Sequence, residues 1–70
     1  MVTVSETKTA GARLKELRGG RSRQQVAADL DMSERTVLRH ELGQTPLSRV
    51  HVLAYAGYYG VDPSEIEAAA

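Results

Sequence analysis

Two arginines one helical turn apart carry the most distinctive chemistry in this sequence. Arg35 and Arg39 are four residues apart in the segment SERTVLRHEL, so on a helix they would share one face. Like charges at this spacing repel and weaken an isolated helix by roughly 0.3 kcal/mol. A guanidinium can, however, donate paired hydrogen bonds to a phosphate or to a guanine edge. The pair therefore favours a nucleic-acid surface, although two arginines on a solvated helix are by themselves ordinary.

The sequence before these arginines predicts a short helix followed by a tight corner. The helix spans about residues 23 to 30, with Val26, Ala27 and Leu30 in helical spacing. Asp31 follows at the corner, and aspartate is one of the few non-glycine residues that tolerate a left-handed backbone. We therefore expect the chain to turn sharply there.

A second helix is predicted to begin at Ser33. The hydroxyl of this serine can cap the helix by accepting a backbone N–H bond, and Glu34 in the first turn suits the positive end of the helix dipole. Val37, with His40 and Glu41, is predicted to face inward. The outward face is predicted to hold Arg35, Thr36 and Arg39.

Length and composition indicate one small all-α domain. Seventy residues form a single core of modest stability, and the abundance of Ala, Leu, Arg and Glu favours helices. No cysteine is present, so we expect neither a disulfide nor a thiolate metal site. With no long apolar run and no signal-peptide pattern, a soluble cytoplasmic protein is expected.

The charge is unevenly distributed along a chain whose net charge is zero. Residues 10–51 hold eight basic and five acidic residues, which gives +3, whereas residues 52–70 hold three acidic residues and no basic ones, which gives −3. Such polarisation permits one positive face.

Two further helices are expected around this unit. Residues 1–8 are interpreted as an arm, and residues 9–70 as the domain. Thr9 is a plausible N-cap for a helix from Ala10 to Arg18 that ends at Gly19-Gly20. A later helix running to about Tyr59 is capped either by Ser48 or by Thr45 with Pro46. Its predicted buried stripe consists of Val52, Tyr55, Ala56 and Tyr59.

A short last helix completes a predicted bundle of five. Asp62 and Pro63 favour a helix start, and the helix then continues from Ser64 to about Ala68 with Ile66 inward. Short helices joined by tight turns predict a compact orthogonal bundle.

With these motifs in view, the chain resembles the Cro/C1-type helix-turn-helix proteins, the family of the lambdoid phage repressors. The resemblance runs from about residue 9 to residue 66. It is carried by RLKELR (13–18), VAADLDMS (26–33), TVLRHELG (36–43) and AGYYGV (56–61). In that family the helix after Ser33 lies in the DNA major groove and the helix before it crosses the backbone. The resemblance therefore implies a lambda-repressor-like fold and a double-stranded DNA partner.

Carried over position by position, the resemblance assigns roles to individual residues. Base contacts are implied for Ser33, Glu34, Arg35, Thr36 and Arg39, with Leu38 nearby. Phosphate contacts are implied for Ser22, Arg23, Gln44, Thr45 and Arg49, with the backbone N–H groups of the loop from Gly43 contributing. A structural salt bridge is implied between Arg18 and Glu41.

Other chemistry finds little support in the sequence. His40 and His51 are eleven residues apart and have no cysteine or third ligand, so a metal site is not expected. His40 is interpreted as a half-buried packing residue, and His51 is placed near the start of the fourth helix. No cofactor and no enzymatic activity are predicted, because no catalytic set or phosphate-binding loop is present.

The sequence thus predicts a sequence-specific transcriptional regulator, in the manner of a phage repressor that occludes its operator. The near-neutral charge keeps a second interpretation open, an antitoxin-like or adaptor module that binds a protein. A palindromic operator would suit a homodimer, free or formed only on DNA. Tyr58 is predicted to be exposed and to be the dimer contact.

Overall fold

The computed structural model describes residues 9–67, which form five α-helices. These are α1 (Ala10–Arg18), α2 (Arg23–Asp29), α3 (Glu34–Leu42), α4 (Arg49–Tyr59) and α5 (Pro63–Glu67). No strand occurs within this range, and the predicted all-α, five-helix architecture is confirmed. The predicted N-terminal arm, residues 1–8, and the end of the predicted last helix at Ala68 lie outside the described residues.

Side-chain hydroxyls cap four of these helices. Each accepts a hydrogen bond from a backbone N–H three residues on, an interaction that stabilises a helix by about 1 kcal/mol. The capping residues are Thr9 (3.1 Å), Ser22 (3.0 Å), Ser33 (3.0 Å) and Ser48 (3.3 Å). The fourth helix is therefore capped by Ser48, and the alternative start at Thr45 and Pro46 is wrong.

One hydrophobic core joins all five helices. Its buried members are Leu14, Val26, Ala27, Val37, Val52, Tyr55, Ala56 and Ile66. Tyr59, predicted on the same stripe of α4, is partly buried at the edge of this core. Because α3 packs against α1 as well as α2, its orientation depends on helices that are distant in sequence.

At Gly11, α1 packs directly against the backbone of α3. A Cβ placed on Gly11 would lie 2.4 Å from the carbonyl oxygen of Glu41 and 2.5 Å from that of His40. Any side chain at this position would collide with main-chain atoms that cannot rotate away. Gly11 therefore permits a close approach between the first helix and α3.

Candidate nucleic-acid interface

The corner between α2 and α3 has the geometry that the sequence predicts. Asp31 has a φ of 57°, and within residues 9–67 it is the sole non-glycine residue with a positive φ. The backbone N–H of Met32 donates to the carbonyl of Ala27 at 2.9 Å, which closes the end of α2. Together with the Ser33 cap, these bonds fix the direction in which α3 leaves the corner.

The inward face of α3 carries Val37, His40 and Glu41, and all three are buried. The prediction that His40 is half-buried is wrong, because only 2% of its surface is exposed. Its Nδ1 lies 2.8 Å from the hydroxyl of Tyr55 on α4. This buried hydrogen bond lets a polar ring occupy a position that would otherwise favour an apolar one.

A second histidine lies next to the first. The ring centroids of His40 and His51 are 4.7 Å apart, and Nδ1 of His51 is 2.9 Å from the capping hydroxyl of Ser48. Burial, and to a lesser degree the neighbouring His51, lowers the pKa of His40. His40 is therefore held neutral near pH 7 at the junction of α3 and α4.

Glu41 forms a two-pronged ion pair with Arg18 at the end of α1. Nε of Arg18 lies 2.8 Å from Oε2 of Glu41, and Nη2 lies 3.3 Å from Oε1. The side chains of Arg18 and Glu41 are 13% and 3% exposed. Arg18 also donates to the carbonyl of Arg21 at 2.8 Å. The residues for which the resemblance implies a salt bridge thus link α3 to the first helix.

The outward face of α3 is different in character. Arg35 and Arg39 are exposed, and across residues 9–67 neither of them forms an ion pair. Glu34 is exposed beside them at the start of the helix. Thr36 is half-buried, and its hydroxyl lies 2.8 Å from that of Ser33. Of the five residues expected to contact bases, two therefore already share a hydrogen bond.

The residues expected to contact phosphate differ in whether they already have a partner within the fold. Ser22 caps α2, and Nη1 of Arg23 lies 3.6 Å from Oε1 of Glu41, so part of the Arg23 charge is already compensated. Gln44 and Thr45 are exposed in the loop after α3. The guanidinium of Arg49 is hydrogen-bonded to the carboxylate of Glu67.

In the loop after α3, two of the backbone N–H groups expected to contribute to phosphate contact are already bonded within the fold. The N–H of Gly43 donates to the carbonyl of His40 at 3.2 Å, and that of Gln44 donates to the carbonyl of Arg39 at 2.9 Å. These bonds close the end of the helix around Gly43, whose φ is 73°. Gln44 could meet a ligand there only through its side chain.

The polarised charge of the sequence is largely cancelled in the fold. Two of the acidic residues near the C-terminus pair with arginines of the basic segment. Glu65 lies 2.9 Å from Arg13, and Glu67 pairs with Arg49. Arg35 and Arg39 are left as the uncompensated positive charges of α3.

Tyr58 is not the exposed residue that the sequence predicts. It is half-buried against the core, its hydroxyl donates to the carboxylate of Asp29 on α2, and the guanidinium of Arg21 lies 5.4 Å from its ring centroid. Placing Tyr58 beside these residues requires knowledge of where α4 lies relative to α2. Its suggested role as a dimer contact stays a prediction.

Sequence reasoning missed two features that position α3, the contact at Gly11 and the His40–Tyr55 bond. A signal existed for the first, because a glycine inside a helix costs about 1 kcal/mol relative to alanine and usually has a packing reason. The second depends on a pairing of α3 with α4 that no local pattern encodes.

Compared with models of known protein families, residues 9–69 match the helix-turn-helix domain. This match covers most of the chain, and the protein belongs to the helix-turn-helix domain family. No curated protein and no solved structure matches the chain.

Two other kinds of site can be checked over the described range. No helix between residues 9 and 67 is long and apolar enough to cross a membrane. The same residues contain no group of three or more His, Asp or Glu side chains placed to hold a metal ion.

Proposed function

We propose that this helix-turn-helix domain binds double-stranded DNA with sequence specificity through the outward face of α3 and regulates transcription. The observation that carries the proposal is which arginines have a carboxylate partner and which do not. Arg13, Arg18, Arg23 and Arg49 each have a carboxylate within 4 Å. Arg35 and Arg39 are exposed and have none among residues 9–67. Their charge and hydrogen-bond donors are therefore available to a ligand.

The proposed ligand follows from the shape and chemistry of this face. An α-helix fits the major groove of B-DNA, and arginine donating to O6 and N7 of guanine is the commonest specific base contact. Arg35 and Arg39 occupy successive turns of α3, so they can reach successive base pairs. Ser33, Glu34 and Thr36 lie in the first turn, where helix-turn-helix proteins contact base edges.

Phosphate contacts would flank the groove and set the register of α3. Ser22 and Arg23 begin α2, and Gln44, Thr45 and Arg49 follow α3. In this proposal the pairs Arg23–Glu41 and Arg49–Glu67 weaken when phosphate approaches, because the arginines exchange a carboxylate for a phosphate. These contacts position the domain and carry no sequence information directly.

The regulatory mode we propose is occlusion of an operator, as in a Cro-like or immunity-type phage repressor. A chain of this size covers a short site and denies it to polymerase. A palindromic operator would be bound by two copies, with their α3 helices about one DNA turn apart.

Selection of bound sequences from a random duplex pool tests this proposal. We expect a short consensus, and a palindromic one if two copies bind. Arg35→Ala and Arg39→Ala should each weaken binding to that consensus by about 1–3 kcal/mol and relax specificity at one position. Neither change should alter the free energy of unfolding by more than about 0.5 kcal/mol.

Lys15→Ala is a suitable control, since Lys15 is an exposed cation on α1. It should leave the affinity for the selected duplex unchanged. An empty selection, or wild-type affinity in both arginine variants, would refute the assignment of α3 as the DNA-reading helix.

A protein-binding module is the alternative, and the zero net charge with four compensated arginines favours it. The salt dependence of the binding constant distinguishes the two functions. Phosphate contacts make the logarithm of the binding constant fall steeply with the logarithm of salt concentration, whereas an apolar protein interface responds weakly.

A further inference from the structure

The helix α4 is apolar on two opposite faces. Val52, Tyr55 and Ala56 are buried in the core on one side. On the opposite side, positions i, i+3, i+4 and i+7 form a second apolar stripe, which we term the outer face of α4. It consists of Val50, Leu53, Ala54 and Gly57.

Residues 9–67 leave most of this outer face uncovered. Val50 is 74% exposed and Leu53 is 47% exposed. Gly57, on the same face, is also exposed. A helix that is apolar all round is normally buried all round. From Val50 to Tyr59 the helix has no acidic residue, lysine or arginine, so solvation of charged groups does not compensate for the exposure.

Gly57 provides an independent observation. A Cβ placed on it would meet nothing within 4 Å, so no contact within residues 9–67 requires glycine there, in contrast to Gly11. Inside a helix this glycine costs about 1 kcal/mol relative to alanine. The cost is explained if a side chain of another molecule occupies the space beside Gly57.

We propose that the outer face of α4 is covered by the same face of a second copy of this chain. We place the two α4 helices antiparallel, with the two-fold axis between Leu53 and Ala54. The side chain of Val50 in each copy then fills the space beside Gly57 of the other. The stripe is thus complementary to itself, as a two-fold interface requires. Because the face is uncharged, two copies meet without repulsion.

The small area of this face limits the affinity between the two copies. A helix of eleven residues is about 16 Å long and 10 Å wide. It buries much less than the roughly 800 Å² per partner of a stable complex. The free dimer is therefore weak, and it forms at high concentration or where two chains are held side by side.

Sedimentation equilibrium of the free protein, without DNA, tests the inference. The apparent mass should rise with concentration from 7.6 kDa toward twice that value in the millimolar range. Leu53→Glu should weaken association more than about tenfold, because a carboxylate would be buried in the interface. The matched control is Leu42→Glu, at an exposed leucine of α3 (60% exposed), which should associate like wild type.

Cross-linking locates the interface. The chain has no cysteine, so Ala54→Cys introduces a single thiol near the proposed two-fold axis, and Leu42→Cys introduces one on α3. On mild oxidation the Ala54→Cys protein should form disulfide-linked dimers much faster than the Leu42→Cys protein, since a disulfide requires Cα atoms within about 7 Å.

Three results would overturn the inference. They are a wild-type chain that stays monomeric at millimolar concentration, equal association of Leu53→Glu and Leu42→Glu, or equal cross-linking of the two cysteine variants. A monomeric result would point to another protein as the occupant of the outer face. Because the test uses no DNA, its outcome is separate from that of the proposed DNA binding.

Discussion

The two faces of α3 are built on opposite principles. On the inward face, His40 and Glu41 are buried, and each has a hydrogen-bonded partner on another helix, Tyr55 and Arg18. On the outward face, Arg35 and Arg39 are exposed and unpaired within residues 9–67. Polar groups on one face are satisfied inside the fold, and those on the other are left for solvent or a ligand.

Under the proposed function, this difference separates stability from recognition along a single helix. Changes on the inward face should alter the free energy of unfolding, whereas changes at Arg35 and Arg39 should leave it almost constant. A large loss of stability from the outward face, or none from the inward face, would remove the distinction. Two substitutions and a change of pH, all acting where α3 packs against the rest of the fold, test it in order of expected effect.

Gly11→Ala should have the largest effect. Its Cβ would overlap the backbone of α3, with the Glu41 carbonyl oxygen 2.4 Å away, so α1 and α3 must separate. We expect a loss of about 3 kcal/mol or more in the free energy of unfolding, at the upper end for overpacked cores. Urea denaturation followed by circular dichroism measures it.

Gly57→Ala is the matched control for this change. It adds the same methyl group to another helical glycine where nothing lies within 4 Å. Measured on dilute monomer, it should stabilise the chain by up to about 1 kcal/mol. Similar effects of the two alanines would show that backbone contact does not position α3.

Glu41→Ala should destabilise the fold by about 3 kcal/mol, because it leaves the nearly buried Arg18 without its carboxylate. Thermal melting reports the loss. Replacing both partners, as in Arg18→Met with Glu41→Leu, should cost less than the single change, since Arg18 is then not left as a nearly buried, unpaired charge. Glu34→Ala, an exposed carboxylate on the same helix, is the control and should cost less than about 1 kcal/mol.

Acidification should have the smallest effect of the three. Burial and His51 lower the pKa of His40 below its ordinary 6.5, so below about pH 6.5 the unfolded chain binds more protons than the folded one. The free energy of unfolding must then decrease as pH falls through 6.5, by less than about 1.4 kcal/mol per pH unit. Urea titrations between about pH 5 and pH 8 measure this slope.

His40→Gln should flatten that dependence, because the amide has no titrating proton. His51→Gln should retain most of it, because burial rather than His51 is the larger cause of the shift. If the slope is the same in His40→Gln and in wild type, His40 is not the group responsible.

Local patterns predicted most of this fold because caps and helix stops depend on neighbouring residues. The hydroxyl caps predicted at Thr9 and Ser33, and the left-handed Asp31, all involve residues within one or two turns. Features that link distant segments were missed or wrong, including the depth of His40 and the burial of Tyr58. Their positions depend on where α4 lies relative to α2 and α3, which no local spacing encodes.

The candidate site follows the same division. Arg35 and Arg39 could be predicted from spacing alone, since residues i and i+4 lie on the same face of a helix. The compensation of Arg49 by Glu67 could not, because it requires α5 to fold back on the start of α4. The occupied N–H groups of Gly43 and Gln44 also depend on the geometry of the helix end.

The backbone contact at Gly11 has a consequence for how the sequence of this domain can evolve. At Gly11 the approach of α1 to α3 is limited by main-chain atoms, which are the same whatever side chains the outward face of α3 carries. Residues on its outward face can therefore be exchanged one at a time without moving the helix. A duplicated copy of the chain could acquire a new target through such exchanges while its core stays unaltered.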